Sequence, residues 1–238
     1  MTKTHLNIVV IGNAGSGKSM TIGYLISKEG QYEGLDQLIQ EHVAATRYCS
    51  AKDYAMAINE YASEQNEDPD AISSWNMETP KYTTTFYEIP DLDSFHYNVS
   101  TGIIPADCAI LVISAWTGEA LGESENDQTI RFAECAHELG IPQIAVAISK
   151  MDTTRWSEDR FNEVLKETSN SLKRKSLYNP RCVSYVPISA THGDNMMEES
   201  PNLPWFKGWT KQTRDGVIKG KTILDAIDGF EPPVRRRN

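Results

Sequence analysis

The stretch Gly12-Asn13-Ala14-Gly15-Ser16-Gly17-Lys18-Ser19 constrains this chain more than any other. It lies between an apolar run, Leu6–Ile11, and a segment of helical character, Met20–Ser27. That order reads as strand, glycine loop, helix. The spacing G-x-x-x-x-G-K-S is that of a phosphate-binding P-loop. Glycines let the backbone bend tightly and turn successive N–H groups inward around an anion. A helix opening near Lys18 aims the positive end of its dipole at the same place. Lys18 can reach the outer phosphates of a nucleotide, and the Ser19 hydroxyl can ligate magnesium. Asn13, Ala14, Gly15, Ser16, Gly17, Lys18, Ser19 and Met20 are therefore candidate nucleotide contacts. A plain Gly/Ser-rich turn is the alternative, and it leaves the full spacing and both flanking elements unexplained.

The remainder of the 238 residues alternates short apolar runs with helical patterns. Thr83–Tyr87, Ala109–Ile113, Ile144–Ile148 and Val183–Pro187 are expected strands. Asn126 or Asp127 is expected to cap a helix that runs to Leu139 and stops at Gly140. Ser157 is expected to cap another, with Phe161, Val164, Leu165, Thr168 and Leu172 on one face. Thr222–Phe230 reads as a last helix with Ile223, Leu224 and Ile227 inward. Between Leu35 and Gln65, Leu38, Ile39, Val43, Tyr54, Ile58 and Tyr61 fall at helix-like spacings, and the acidic stretch Glu64–Pro69 reads as a loop. Continuous apolar strands separated by helices place the chain in the α/β class. The expected architecture is three layers, a mostly parallel sheet with helices on both faces. Ligands of such a sheet gather at the carboxyl ends of its strands, where the P-loop also lies.

The net charge of −10 gives no bulk electrostatic grip on nucleic acid, but a nucleotide needs only a local positive pocket. None of Cys49, Cys108, Cys135 and Cys182 is spaced as a C-x-x-C site. Cys108 and Cys135 sit in apolar stretches and are expected in the core. No run approaches a membrane span, and Met1–His5 leads straight into a strand, so reduced thiols and a cytoplasmic location are expected. Arg235-Arg236-Arg237 reads as a solvated tail.

Two further motifs follow expected strands. Ser149-Lys150-Met151-Asp152 comes directly after Ile144–Ile148. A carboxylate there can accept both N1–H and the exocyclic amino group of guanine, a donor pair adenine lacks, while the Lys150 stem can lie over the base. Ser189-Ala190-Thr191 follows Val183–Pro187 in the same way. The first resembles the Asn-Lys-x-Asp pattern of GTPases with Ser149 in place of Asn, and the second resembles their guanine-oxygen loop. With Lys3–Gly12, Gly193-Asp194-Asn195-Met196 and Pro204-Trp205-Phe206-Lys207-Gly208-Trp209, these residues make the chain resemble the GTP-binding domain of eukaryotic elongation factor 1-alpha, within the translational GTPase family. The resemblance implies a single GTPase domain over 1–238, with a helical insertion at about 34–66 and a short basic tail at 235–238. It also implies GTP or GDP as ligand, Mg2+ held through Ser19 and Glu88, and a protein partner such as the ribosome or a larger assembly. Family members carry two β-barrel domains that the resemblance does not cover, so aminoacyl-tRNA binding is not expected.

The departures from the family pattern concentrate where γ-phosphate chemistry occurs. Where the family reads Asp-Ala-Pro-Gly-His, this chain reads Glu88-Ile89-Pro90-Asp91-Leu92. The family histidine orients the attacking water, and Leu92 has no polar atom for that task. Loss of such a group typically costs about 10²–10⁴ in rate. Asp91 replaces a glycine whose N–H serves the γ-phosphate, and Glu88 is longer than the family Asp. Pro69 falls where the family has its magnesium-sensing threonine, and proline supplies neither hydroxyl nor N–H. Met20 replaces a threonine. The expectation is a guanine-nucleotide-binding module with weak or absent hydrolysis, a pseudo-GTPase. The alternatives are a GTPase switch completed by a partner and a structural subunit that has lost its nucleotide.

Overall fold

The computed structural model describes residues 3–29, 37–38, 41, 57, 72–116 and 123–233. In chain order the elements are β1 (Thr4–Ile11), α1 (Lys18–Glu29), β2 (Ser74–Glu78), β3 (Tyr82–Glu88), α2 (Leu92–Ser100), β4 (Cys108–Ser114), α3 (Glu123–Glu138), β5 (Ile144–Ser149), α4 (Glu158–Arg174), β6 (Ser184–Pro187), β7 (Trp209–Thr213), β8 (Gly216–Gly220) and α5 (Ile223–Asp228). Apart from 37–38, 41 and 57, which are helical, the stretch at 34–66 lies outside the described residues, as do the acidic loop, Pro69 and the tail at 235–238.

Six strands form one sheet in the order β2-β3-β1-β4-β5-β6. Only the β2–β3 pair is antiparallel. The central strands are apolar without alternation because both their faces are covered; all six residues of β5 are buried. From β1 the chain crosses to β3 on one side, then from β3 back past β1 to β4 on the other. Right-handed crossovers therefore place α1 on one face and α2, α3 and α4 on the opposite face. The packing agrees: α2 meets α3, α3 meets α4, and α1 lies on β2 and β3. The reversal also opens a crevice beyond the carboxyl ends of β1 and β4, the place an α/β sheet reserves for ligands.

The local sequence explains the helices. Ile22, Leu25 and Ile26 of α1, spaced i, i+3, i+4, are all fully buried. Ser157 caps α4 as expected, its Oγ accepting from the Arg160 N–H at 3.2 Å. Phe161, Val164, Thr168 and Leu172 form the buried face, and Leu165 is half-buried beside them. Thr222 and Asp225 make a capping box at α5. Cys108 and Cys135 are buried as expected. One expectation fails: α3 already runs through Asn126 and Asp127, having begun by Glu123, so neither residue is its cap. Helical spacing locates a helix body better than its end, because its first turn makes few contacts. Among the described residues no helix is long and apolar enough to cross a membrane.

Candidate functional site

The loops after β1, β3, β5 and β6 converge at the carboxyl edge of the sheet. In the first, Gly12 has φ +144°, and a Cβ there would lie 2.3 Å from the Val112 carbonyl oxygen of β4. Only glycine lets the loop leave β1 pressed this closely on its neighbour. Ser16 Oγ is buried with no partner among the described residues, an orphan hydroxyl that suits an anionic acceptor. Lys18 is only 6% exposed, and its Nζ donates to the carbonyls of Gly12 (2.9 Å) and Asn13 (3.1 Å). Burial pulls its pKa down, while Glu88 and Asp91 push it back up.

Glu88, the last residue of β3, meets the first turn of α1. Ser19 Oγ donates to its Oε1 at 2.5 Å. Both are hard oxygen donors, the chemistry magnesium prefers. Among the described residues no cluster of three His, Cys, Asp or Glu side chains could hold a metal. The pair therefore fits a cation that takes its other ligands from phosphate oxygens and water. Burial raises the Glu88 pKa, opposed by the Ser19 bond and the Lys18 charge. A folded-state pKa raised above 4.5 means that folding takes up a proton here. The associated stability is present at low pH and declines as pH rises above 4.5 toward the folded pKa. Glu88→Gln keeps an acceptor for Ser19 and removes the buried charge. In metal-free buffer that variant should melt above the parent at pH 8, with the gap narrowing toward pH 5.

Asp91 does not stand free beside a phosphate position. It caps α2, with Oδ1 accepting from the Ser94 N–H (2.8 Å) and Oδ2 from the Ser94 hydroxyl (2.9 Å). Those bonds lower its pKa and keep it ionised, and its charge still reaches Lys18. Leu92 opens α2 and packs half-buried against the core.

On the other side of the P-loop, Ser149 Oγ donates to the Ser16 carbonyl at 2.5 Å, with the Ile113 carbonyl at 3.2 Å. The serine thus ties the loop to β4 and β5. Lys150 takes a left-handed conformation (φ +60°), and its ammonium lies 6.0 Å from the centre of the Trp116 ring. Asp152 sits in a single helical turn, Met151–Thr154. Ser189, which is fully buried, donates to Asp152 Oδ1 at 2.6 Å.

Together these residues enclose a cleft of about 220 Å³. One wall is Gly15, Gly17, Lys18, Ser19, Met20 and Glu88; the other is Ser149, Lys150, Asp152, Ala190 and Thr191. Of the remaining expected contacts, Ser16 and Ser189 are buried behind the walls, and Asn13 and Ala14 lie on the loop outside them. The sequence reading missed Thr21, which lines the cleft with its hydroxyl bonded back to the Gly17 carbonyl at 2.8 Å. It also missed Trp116, although an aromatic residue just past the end of a central strand was a usable signal.

The loop after β6 is braced on α1. Gly193 has φ +77°, and a Cβ there would lie 2.2 Å from the Tyr24 hydroxyl. Gly193→Ala combines backbone strain with displacement of Tyr24 and should cost about 1–3 kcal/mol in thermal unfolding.

The profile of the elongation factor Tu GTP binding domain matches residues 3–233. Elongation factor 1-alpha of Mucor circinelloides f. lusitanicus is 47% identical over 98% of this chain and 51% of its own length. Among solved structures, Sup35 complexed with GMPPNP superposes with a TM-score of 0.61 at 24% identity, over 98% of this chain and 46% of its own. The Ski7 GTPase-like domain of S. cerevisiae, bound to GDP and inorganic phosphate, reaches 0.68 at 16% identity, over 95% of this chain and 49% of its own. At those identities the structural likenesses speak for the fold alone. The chain spans about half the length of the relatives it matches.

Proposed function

Since the chain belongs to the elongation factor Tu GTP-binding domain family, we propose that residues 1–238 act as a single domain that binds guanine nucleotide and hydrolyses GTP slowly or not at all. Gly12 to Met20 hold the phosphates, with Lys18 supplying charge. Ser19 and Glu88 hold magnesium, which when bound neutralises phosphate charge. Asp152, steadied by Ser189, reads the base, while Lys150, Ala190 and Thr191 complete its walls.

The observation that carries the second half of the proposal is Leu92. At the start of α2 it packs half-buried against the core and offers no group to position water. A water-positioning side chain is worth about 10²–10⁴ in rate. The ionised Asp91, fixed by Ser94 where the family pattern it resembles has glycine, puts a negative charge near the γ-phosphate position and favours GDP over GTP. The domain then serves as a binding or scaffold module for a protein partner in the cytoplasm.

The test is to purify the protein without added nucleotide, release any ligand and identify it by chromatography, then follow added GTP in a single-turnover assay. Bound GDP or GTP with negligible turnover supports the proposal. Binding of ADP in preference to GDP overturns the guanine assignment. Ordinary turnover by the protein alone overturns the second half. The retained Ser19–Glu88 pair favours one other reading, a switch whose missing group comes from a partner. Turnover that rises strongly on adding ribosomes would select it.

A further inference from the structure

Ser189 Oγ has a single proton, and Asp152 Oδ1 at 2.6 Å receives it. Two nitrogens of His192 also approach that oxygen, ring Nδ1 at 3.3 Å and the backbone N–H at 3.4 Å. Because the hydroxyl proton is already committed, Oγ can only accept from them, so Nδ1 must carry a hydrogen. We infer that His192 is a positioning residue for the base-reading carboxylate, acting through Ser189 along the chain His192 Nδ1–H to Ser189 Oγ–H to Asp152 Oδ1. This rests on the guanine assignment proposed above.

His192 is exposed, so its contacts rather than burial hold the ring. It lies edge-on to Trp156, with centroids 5.4 Å apart and planes at 78°. Trp156 is itself fixed, since its Nε1 donates to Asp194 Oδ2 at 2.6 Å. Asp194 is buried and also accepts from the Ser200 hydroxyl and from Asn202 Nδ2 (2.9 Å). The histidine thereby leans on a frame anchored at the buried Asp194 outside the base site, and its two donors polarise the Ser189 hydroxyl. Hydrogen bonds in series strengthen one another, so the Ser189–Asp152 bond is tighter than an isolated pair. The consequence is a carboxylate held at one rotation, with Oδ2 and the remaining acceptor capacity of Oδ1 left for the two donors of guanine.

Inosine diphosphate tests this, because hypoxanthine keeps N1–H and lacks the exocyclic amino group. A misaimed carboxylate loses more on GDP, which asks for two bonds, than on IDP, which asks for one. His192→Phe keeps the ring against Trp156 and removes the donor. His192→Asn keeps a donor near the Nδ1 position. The phenylalanine variant should bind GDP about fivefold more weakly, with IDP changed less than about twofold and the melting temperature unmoved; the asparagine variant should stay within about twofold of the parent on both. The inference is overturned if His192→Phe binds GDP like the parent, if it loses GDP and IDP equally, or if His192→Asn does not rescue. Should the phenylalanine variant fail to fold, His192→Leu repeats the comparison. A parent protein that does not prefer GDP to ADP overturns the guanine assignment and this inference together, an outcome visible before any variant is made.

Discussion

Lys18→Met weakens GDP binding by about 10²–10³-fold, the sum expected for two charge-assisted hydrogen bonds to phosphate. The side chain is 6% exposed, so the charge acts where water screens it little. Its cost is already borne by the fold: burial depresses the ammonium pKa, and only the nearby Glu88 and Asp91 carboxylates compensate. A diphosphate brought to the loop adds negative charge at the position where the lysine gains most from it. Methionine keeps most of the stem volume, so packing between β1 and α1 is preserved and the loss falls on charge. Without the cation, Glu88 loses a neighbour that favours its ionised form, and its pKa rises further. Titration with a fluorescent GDP analogue reads the affinity, and thermal melting confirms the fold. GDP affinity within about threefold of the parent would mean that the ligand's charge is neutralised elsewhere, and the P-loop assignment would fall.

The P-loop, Ser149–Asp152 and Ser189–Thr191 could be found in the sequence because each is short, follows a strand and needs fixed residue types at fixed spacing. The sheet gathers them without any further signal: parallel strands bring their carboxyl ends to one edge. Features that depend on a choice between partners were harder to read. By sequence Asp91 reads as an acid beside the proposed phosphate site, yet Ser94 three residues on makes it a helix cap, and the cap takes both oxygens. The β7–β8 hairpin was present as Arg214-Asp215-Gly216, with Gly216 at φ +128°. His192 gave no signal of its own. Its role depends on where the one proton of Ser189 goes, which only distances reveal.

Asp152→Asn exchanges guanine for xanthine. A carboxylate accepts two donors at once, N1–H and the exocyclic amino group of guanine. An amide offers one acceptor and one donor group, and xanthine replaces the amino group by a carbonyl. Which amide atom faces the base is settled by Ser189. Its hydroxyl donates to Oδ1 at 2.6 Å from a fully buried position. The asparagine carbonyl keeps that bond, and the amide nitrogen takes the place of Oδ2. Guanine then meets a donor opposite its own donor, leaving two groups unpaired inside the cleft. That mismatch costs about 10²–10³-fold in GDP affinity, while XDP gains a hydrogen bond in place of a repulsion. Competition between labelled GDP and unlabelled XDP measures the exchange, with the parent expected to favour GDP and the variant XDP. GDP retained within about threefold by the variant would show that the base is read by some other group, and Asp152 would then be only the acceptor that orients Ser189.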